Sequence, residues 1–279
     1  MARTEAMAIL KANGDKQLLS EVYGGVLENF STRALSSIVK NNQWSGDPRS
    51  GSVEFDRMLN TAVENYNPDA TDKNFKIEKV TVNVDTPKMI RERATQWDID
   101  EYGIDGIIQR KSDLYTNSMI VFADRAFFTK AETEGSEVTL TASTDKGKLD
   151  EFIRTITDAT TDYADGIDES MVHVFLKSSV WDRLKGEFEK LPNPANGGVT
   201  LFDYNGVNVH RNFRQTKDAI IMVQGAGAMP IAPIGTAVDK IAGSVEYYIG
   251  LYFKYGVKMI MPELVKYASF SGETETPSL

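Results

Sequence analysis

Lys76-Ile77-Glu78-Lys79-Val80-Thr81-Val82-Asn83-Val84 sets Val80, Val82 and Val84 on one side of the chain and Lys79, Thr81 and Asn83 on the other. A two-residue period of this kind is a β-strand with one wet face. Upstream lie two turn clusters. The first runs from Asn41-Asn42 through Ser45-Gly46-Asp47-Pro48 to Ser50-Gly51, and the second is Asn65-Tyr66-Asn67-Pro68-Asp69-Ala70-Thr71-Asp72. Val53 and Phe55 stand between them. Residues 43–86 therefore read as one long hairpin-like excursion, polar over most of its length and short of apolar residues for a core of its own.

Outward from this hairpin the chain changes texture on both sides. In residues 1–40, Leu18, Val22, Val26 and Phe30 recur every four residues and form a narrow apolar stripe, with Gly24-Gly25 predicting a bend inside it. Such a stripe buries little alone and reads as an arm docked on something else. After the hairpin, Ile104, Ile108, Tyr115, Met119, Phe122 and Ala126 keep to one face of a long helix over about 99–133. No Pro interrupts it, and Gly135 is its terminator. Glu137 to Thr141 alternates as a short strand. Thr144 or Asp145 caps a second helix carrying Leu149, Phe152, Ile153, Ile156, Ala159 and Tyr163. Met171 to Leu176 reads as a buried strand. Ser178 or Ser179 caps a third helix with Trp181, Leu184, Phe188 and Leu191 inward, stopped by Pro192.

Beyond Val199 the pattern is β. Tyr204-Asn205-Gly206-Val207 specifies a two-residue hairpin turn, and Ala219 to Val223 is a strand. Residues 225–236, rich in Gly, Ala and Pro, read as a loop. Val245, Tyr247, Ile249, Leu251 and Phe253, then Val257 and Met259 beyond Tyr255-Gly256, read as a closing hairpin. Ser271 to Leu279 is a polar tail. The order is α+β without a regular βαβα alternation, which argues against a doubly wound or barrel enzyme.

Composition narrows the function classes. The chain has 279 residues, no Cys and only two His, His173 and His210, so thiolate chemistry is excluded and a His triad or multi-His metal site has little to draw on. A net charge of −9 argues against non-specific nucleic-acid binding, and no apolar run is long enough for a membrane span. The start lacks the apolar segment of a signal peptide, which predicts folding in the cytoplasm. Gln224-Gly225-Ala226-Gly227-Ala228-Met229-Pro230 has a Gly-x-Gly but puts Pro230 where a dinucleotide loop needs a small residue. Asp98-Ile99-Asp100-Glu101-Tyr102-Gly103 hints at a calcium loop, but Tyr102 and Gln109 occupy ligand positions, so these acids read as a helix start. Asp158–Glu169 fails in the same way. The acid pairs Glu132/Glu134 and Asp168/Glu169 have no framework that marks a catalytic dyad. His173 reads as a core residue and His210 as an exposed strand end. No catalytic residue, cofactor site or metal site emerges.

Four stretches together resemble the major capsid proteins of tailed bacteriophages, the Hong Kong ninety-seven fold. Phe75 to Val84 resembles the return strand of the extended loop. Asp98 to Gly103, leading to Phe127-Phe128, resembles the spine helix. Met171 to Trp181, followed by Asn205-Gly206-Val207-Asn208-Val209, resembles the axial domain. Tyr248 to Met259 resembles the closing strands of the peripheral domain. The resemblance implies an N-terminal arm over 1–42 and an extended loop over 43–86. It implies a peripheral domain from 87–143 and 245–279, and an axial domain over 144–244.

It also implies a structural subunit of an icosahedral capsid enclosing a viral double-stranded DNA genome, not an enzyme. Copies would form hexamers and pentamers, with loop and arm on adjacent subunits. A separate scaffolding protein and a portal are implied as partners, with the DNA enclosed but not bound by sequence. The implied place is the virion, assembled in the host cytoplasm. Contact candidates are Leu18, Val22, Val26 and Phe30 on the arm, Lys76, Lys79, Val80, Val82 and Val84 on the loop, Arg91 and Arg93 beyond it, and Met229 in the Gly225–Gly235 segment. The rival readings are a cellular nanocompartment shell of the same fold and an α+β enzyme using Asp or Glu chemistry.

Some relatives weld a loop Lys to a peripheral-domain Asn. Lys73, Lys76 and Lys79 offer the first partner, but no Asn follows Asn212. The expectation is no such cross-link: assembled particles run on a denaturing gel as one band near 31.0 kDa, and a covalent ladder refutes it.

Overall fold

Thr95 begins the longest element. Its hydroxyl accepts the Asp98 N–H while the Asp98 carboxylate takes the Thr95 N–H, and this reciprocal cap opens a helix over Gln96–Glu134. The computed structural model describes residues 33–58, 77–161, 165–190, 202–242 and 246–270. The long helix matches the expected 99–133 with one extra turn at its start. It is kinked at Gly103, whose φ of 66° is non-helical, and ends where the Gly135 N–H meets the Ala131 carbonyl.

The strands follow in chain order. They are β1 (Ser52–Met58), β2 (Ile77–Asn83), β3 (Thr86–Ala94), β4 (Ser136–Val138), β5 (Val172–Leu176), β6 (Glu189–Lys190) and β7 (Phe202–Tyr204). Then come β8 (Val207–Arg211), β9 (Ala219–Val223), β10 (Gly227–Ala228), β11 (Ile231–Lys240), β12 (Tyr247–Tyr255), β13 (Lys258–Met259) and β14 (Val265–Ala268). β1 and β2 form a two-stranded antiparallel ribbon, Ser52 opposite Asn83 and Met58 opposite Ile77. β11, β12 and β3 form an antiparallel sheet in that order. A seven-stranded mixed sheet runs β4-β14-β9-β5-β8-β7-β6.

The long helix serves both sheets. Phe122 meets Phe253 and Tyr255 of the three-stranded sheet edge-on, at 5.8 and 4.9 Å. Phe128 lies against Phe175 of the seven-stranded sheet at 4.7 Å. The other face of that sheet buries Val172, Val174, Leu176 and Val209 against Leu149, Phe152 and Ile156 of the helix Asp145–Thr157. β5 is thus covered on both faces, which explains why it reads as a continuous apolar run. Thr144 caps the Asp145 helix through the Gly147 N–H, as its sequence predicts. Asn205 at φ 52° and Gly206 at φ 89° make the expected two-residue turn between β7 and β8.

Other expectations are corrected. The segment 225–236 is not a loop: it supplies β10 and most of the edge strand β11, where a register shift between Pro233 and Gly235 absorbs the Pro. The closing hairpin is β11–β12, because β13 pairs with β10 instead. The third helix spans only Ser178–Leu184 and is capped by Lys177 without a side-chain bond. Phe188 packs on Trp181 from beyond its end, at 4.8 Å. Sheet membership also cuts across the expected division at 244/245. β11 lies beside β12, while β14 crosses into the seven-stranded sheet. Tyr163, Leu191, Pro192 and Val245 lie outside the described residues.

A buried carboxylate joins three segments. Asp124 on the long helix is fully buried and accepts the Ser36 N–H at 2.9 Å, the Leu35 N–H at 3.3 Å and the Arg214 guanidinium. Replacing it leaves Arg214 buried without its partner. Asp124→Ala is expected to cost about 3–5 kcal/mol in urea unfolding, with the denaturant slope unchanged.

Candidate functional site

The ribbon β1–β2 carries the interaction chemistry that its sequence suggests, but in two distinct zones. At its root, Val53, Phe55, Val82 and Val84 are buried against Ala228, Ala232 and Ile260 of the same chain, and Trp44 stands edge-on to Phe55 at 6.0 Å. Arg57 pairs with Glu263, and Lys258 Nζ reaches the Thr81 carbonyl at 3.2 Å. Val82 and Val84 are therefore spent within the subunit. This corrects the reading of a hairpin without a core: its core is borrowed from residues more than 140 positions downstream. Further out, Lys79 is exposed and bonded to Glu54 at 2.8 Å, and that carboxylate raises the pKa of the amine. Val80 is half-buried and Ile77 exposed, so the outer part of the described ribbon has few contacts to the body.

The remaining candidates are scattered. Arg91 and Arg93 are exposed on β3. Arg91 lies over the Tyr248 ring at 3.6 Å, and Arg93 pairs with Glu246. Met229 is buried in the main core and is no surface contact; the Gly225–Gly235 segment it belongs to lines the helix side of the molecule. Leu18, Val22, Val26, Phe30 and Lys76 lie outside the described residues. The structure adds exposed apolar residues that the sequence reading passed over. Met89 is 60% exposed on β3, Trp97 85% exposed at the helix start, and Phe213 67% exposed before Arg214. Met89 was findable, since it shares a strand face with Arg91 and Arg93; the other two carry no periodic signal.

The groups tested for catalysis hold backbone instead. Glu132 accepts the Thr216 and Lys217 N–H groups at 2.7 and 2.9 Å, and Glu134 accepts that of Met259 at 2.7 Å. Asp168 takes the Ser170 hydroxyl and N–H, which hold its carboxyl below the usual range. Gly227 is where β10 presses on the long helix: a Cβ there would stand 2.7 Å from Phe127, which leaves no room for a phosphate. Among the described residues, no cluster of His, Asp and Glu could hold a metal, and no helix is long and apolar enough to cross a membrane.

His210 is buried, not exposed. It stacks on Phe175, and its Nε2 shares a proton with His173 Nδ1 at 3.0 Å, across the parallel strands β5 and β8. Its own Nδ1 is buried without a partner among the described residues. Burial, and for His210 the neighbouring His173, holds both imidazoles well below the usual His range. The unfolded chain therefore binds more protons as pH falls below about 6.5, and folding stability falls with it. Between pH 7 and 5, where carboxylates contribute little, unfolding free energy is expected to drop by about 2–4 kcal/mol, and His210→Gln to remove about half of that dependence.

No protein-family model and no curated protein sequence matches the chain. Solved structures do. The capsid of cyanophage P-SCSP1u is similar at TM-score 0.57 and 8% identity, over 84% of this chain and 86% of that one. The capsid of an empty GTA particle is similar at TM-score 0.57 and 11% identity, over 87% and 91%. A virus-like particle from Pyrococcus furiosus is similar at TM-score 0.55 and 7% identity, over 90% and 98%. With a long helix serving a three-stranded and a seven-stranded sheet, and a two-stranded ribbon held at its root, the chain has the Hong Kong ninety-seven-like fold of the phage major capsid proteins.

Proposed function

We propose that this chain is the repeating subunit of an icosahedral capsid shell that encloses a viral double-stranded DNA genome. One observation carries the reading. The ribbon β1–β2 is pinned to the body at its root only, and among the described residues it has no third strand. A two-stranded ribbon is marginal alone in water, so a neighbouring copy is the natural source of its remaining contacts. Lys79, Val80 and Lys76 on the ribbon, with Arg91 and Arg93 on β3, are the proposed contact residues. Each contact is weak, and closure of the lattice sums them. A separate scaffolding protein and a portal are proposed partners, the virion the proposed destination and the host cytoplasm the place of assembly. The net charge of −9 suits a wall that encloses DNA without trapping it.

The likeness to a virus-like particle from Pyrococcus furiosus favours, as a second reading, a nanocompartment shell without a genome. Sedimentation and negative-stain microscopy of the expressed protein, alone and with a co-expressed scaffold, test both. Closed shells or ring-shaped capsomers far heavier than 31.0 kDa are the expected result. A persistent monomer with measurable turnover overturns it in favour of an enzyme. Particles that form unaided around a protein cargo favour the nanocompartment.

A further inference from the structure

The long helix has a second, uncovered face. Between it and the segment after β12 runs a groove of about 890 Å³, floored by Leu114, Val121, Phe122, Tyr255 and Val257. Leu114 is 56% and Val121 37% exposed there. Apolar surface of this size on a soluble chain marks a contact site.

We propose that this groove seats the chain's own N-terminal arm, with Leu18, Val22, Val26 and Phe30 as its anchors. The inference goes beyond the shell reading and does not depend on it.

Position argues for this occupant. The described chain begins at Arg33, and the Leu35 and Ser36 N–H groups are already bonded to Asp124 of the same helix. Val121 and Asn117, which line the groove, lie three and seven residues before Asp124, so the rim adjoins the arm's root. The five residues from Phe30 to Leu35 reach at most about 17 Å, enough to round a helix about 10–12 Å across.

Length and charge agree. As a helix, residues 18–30 are about 18 Å long, and the groove follows the long helix from Leu114 to Thr133, about 28 Å. Anchors every four residues are the pattern of a helix laid in a groove. Residues 18–30 carry Glu21 and Glu28 and no Lys or Arg. The groove is edged by Arg125 and Lys130, and no acid lines it. Gly24-Gly25 denies the arm a stable helix of its own, so docking supplies its order. The short tether raises the local concentration of the chain's own arm to the millimolar range, above what a second copy reaches in dilute solution. This sets the arm on its own subunit, where the family resemblance implies a neighbour.

The absence of Cys makes a clean test. Ser118 is exposed and lines the groove, and Lys185 is exposed on a distant turn. Maleimide labelling of the lone thiol in Ser118→Cys is expected to run about tenfold or more slower than in Lys185→Cys. The difference should persist through about 100-fold dilution. Adding Val22→Asp with Val26→Asp, or deleting residues 1–30, should restore fast labelling while the circular dichroism melt stays cooperative. Equal rates in the two single variants overturn the proposal. So does protection that survives both arm changes, and so does protection lost on dilution, which assigns the groove to another copy and leaves the shell reading intact.

Discussion

Asp124 is the constraint on which the arrangement depends. A carboxylate with no exposure on the central helix carries a desolvation cost of several kcal/mol, offset only by complete pairing. Its partners are the Arg214 guanidinium and the N–H groups of Leu35 and Ser36. These come from the loop after β8 and from the segment that leads out of the arm. The charge therefore fixes where three separated stretches of chain meet. Lys40, nearby, is buried enough to lower its pKa, with Asp124 the opposing attraction.

The same helix repeats the device twice. Glu132 holds the Thr216–Lys217 backbone and Glu134 holds Met259. Asp124 and Glu132, eight residues apart, clamp the two ends of the 214–217 turn. Glu134 fixes the strand that pairs with β10. Acids that look like surplus charge in the sequence are acceptors for backbone donors that the sheets leave over. The helix is rigid, so the spacing of its acids becomes the spacing of the two sheets.

Legibility in the sequence followed the range of the interaction that decides each element. Val80-Thr81-Val82, the Thr144 cap and the Asn205-Gly206 turn are settled by neighbours within a few residues, and each stands as read. The strand β11 was hidden because Ala-Pro-Ile-Gly is poor strand sequence. Its pairing comes from β12, and an edge position tolerates the Pro. His210 looked exposed because its partner, His173, lies 37 residues earlier on the adjoining parallel strand. The candidate contacts divided likewise. Alternation identified which Val residues face inward, but only the fold shows that Val82 and Val84 face this chain's own Ala228, Ala232 and Ile260.

That division bears on what a tile of this shape requires. The ribbon's direction is set by its root: the Val82 and Val84 side chains sit against the β10–β11 segment, and Arg57 is tied to Glu263. Those supports belong to the strands flanking the long helix, so ribbon, three-stranded sheet and helix share one frame. A ribbon loosely hinged at its root would lose, on meeting a neighbour, the entropy of orienting its whole length. Fixing the root within the subunit removes that cost before any contact is made, and leaves the outer, polar residues free to choose the partner. Interior burial thus supplies direction, and exposed charge supplies selection.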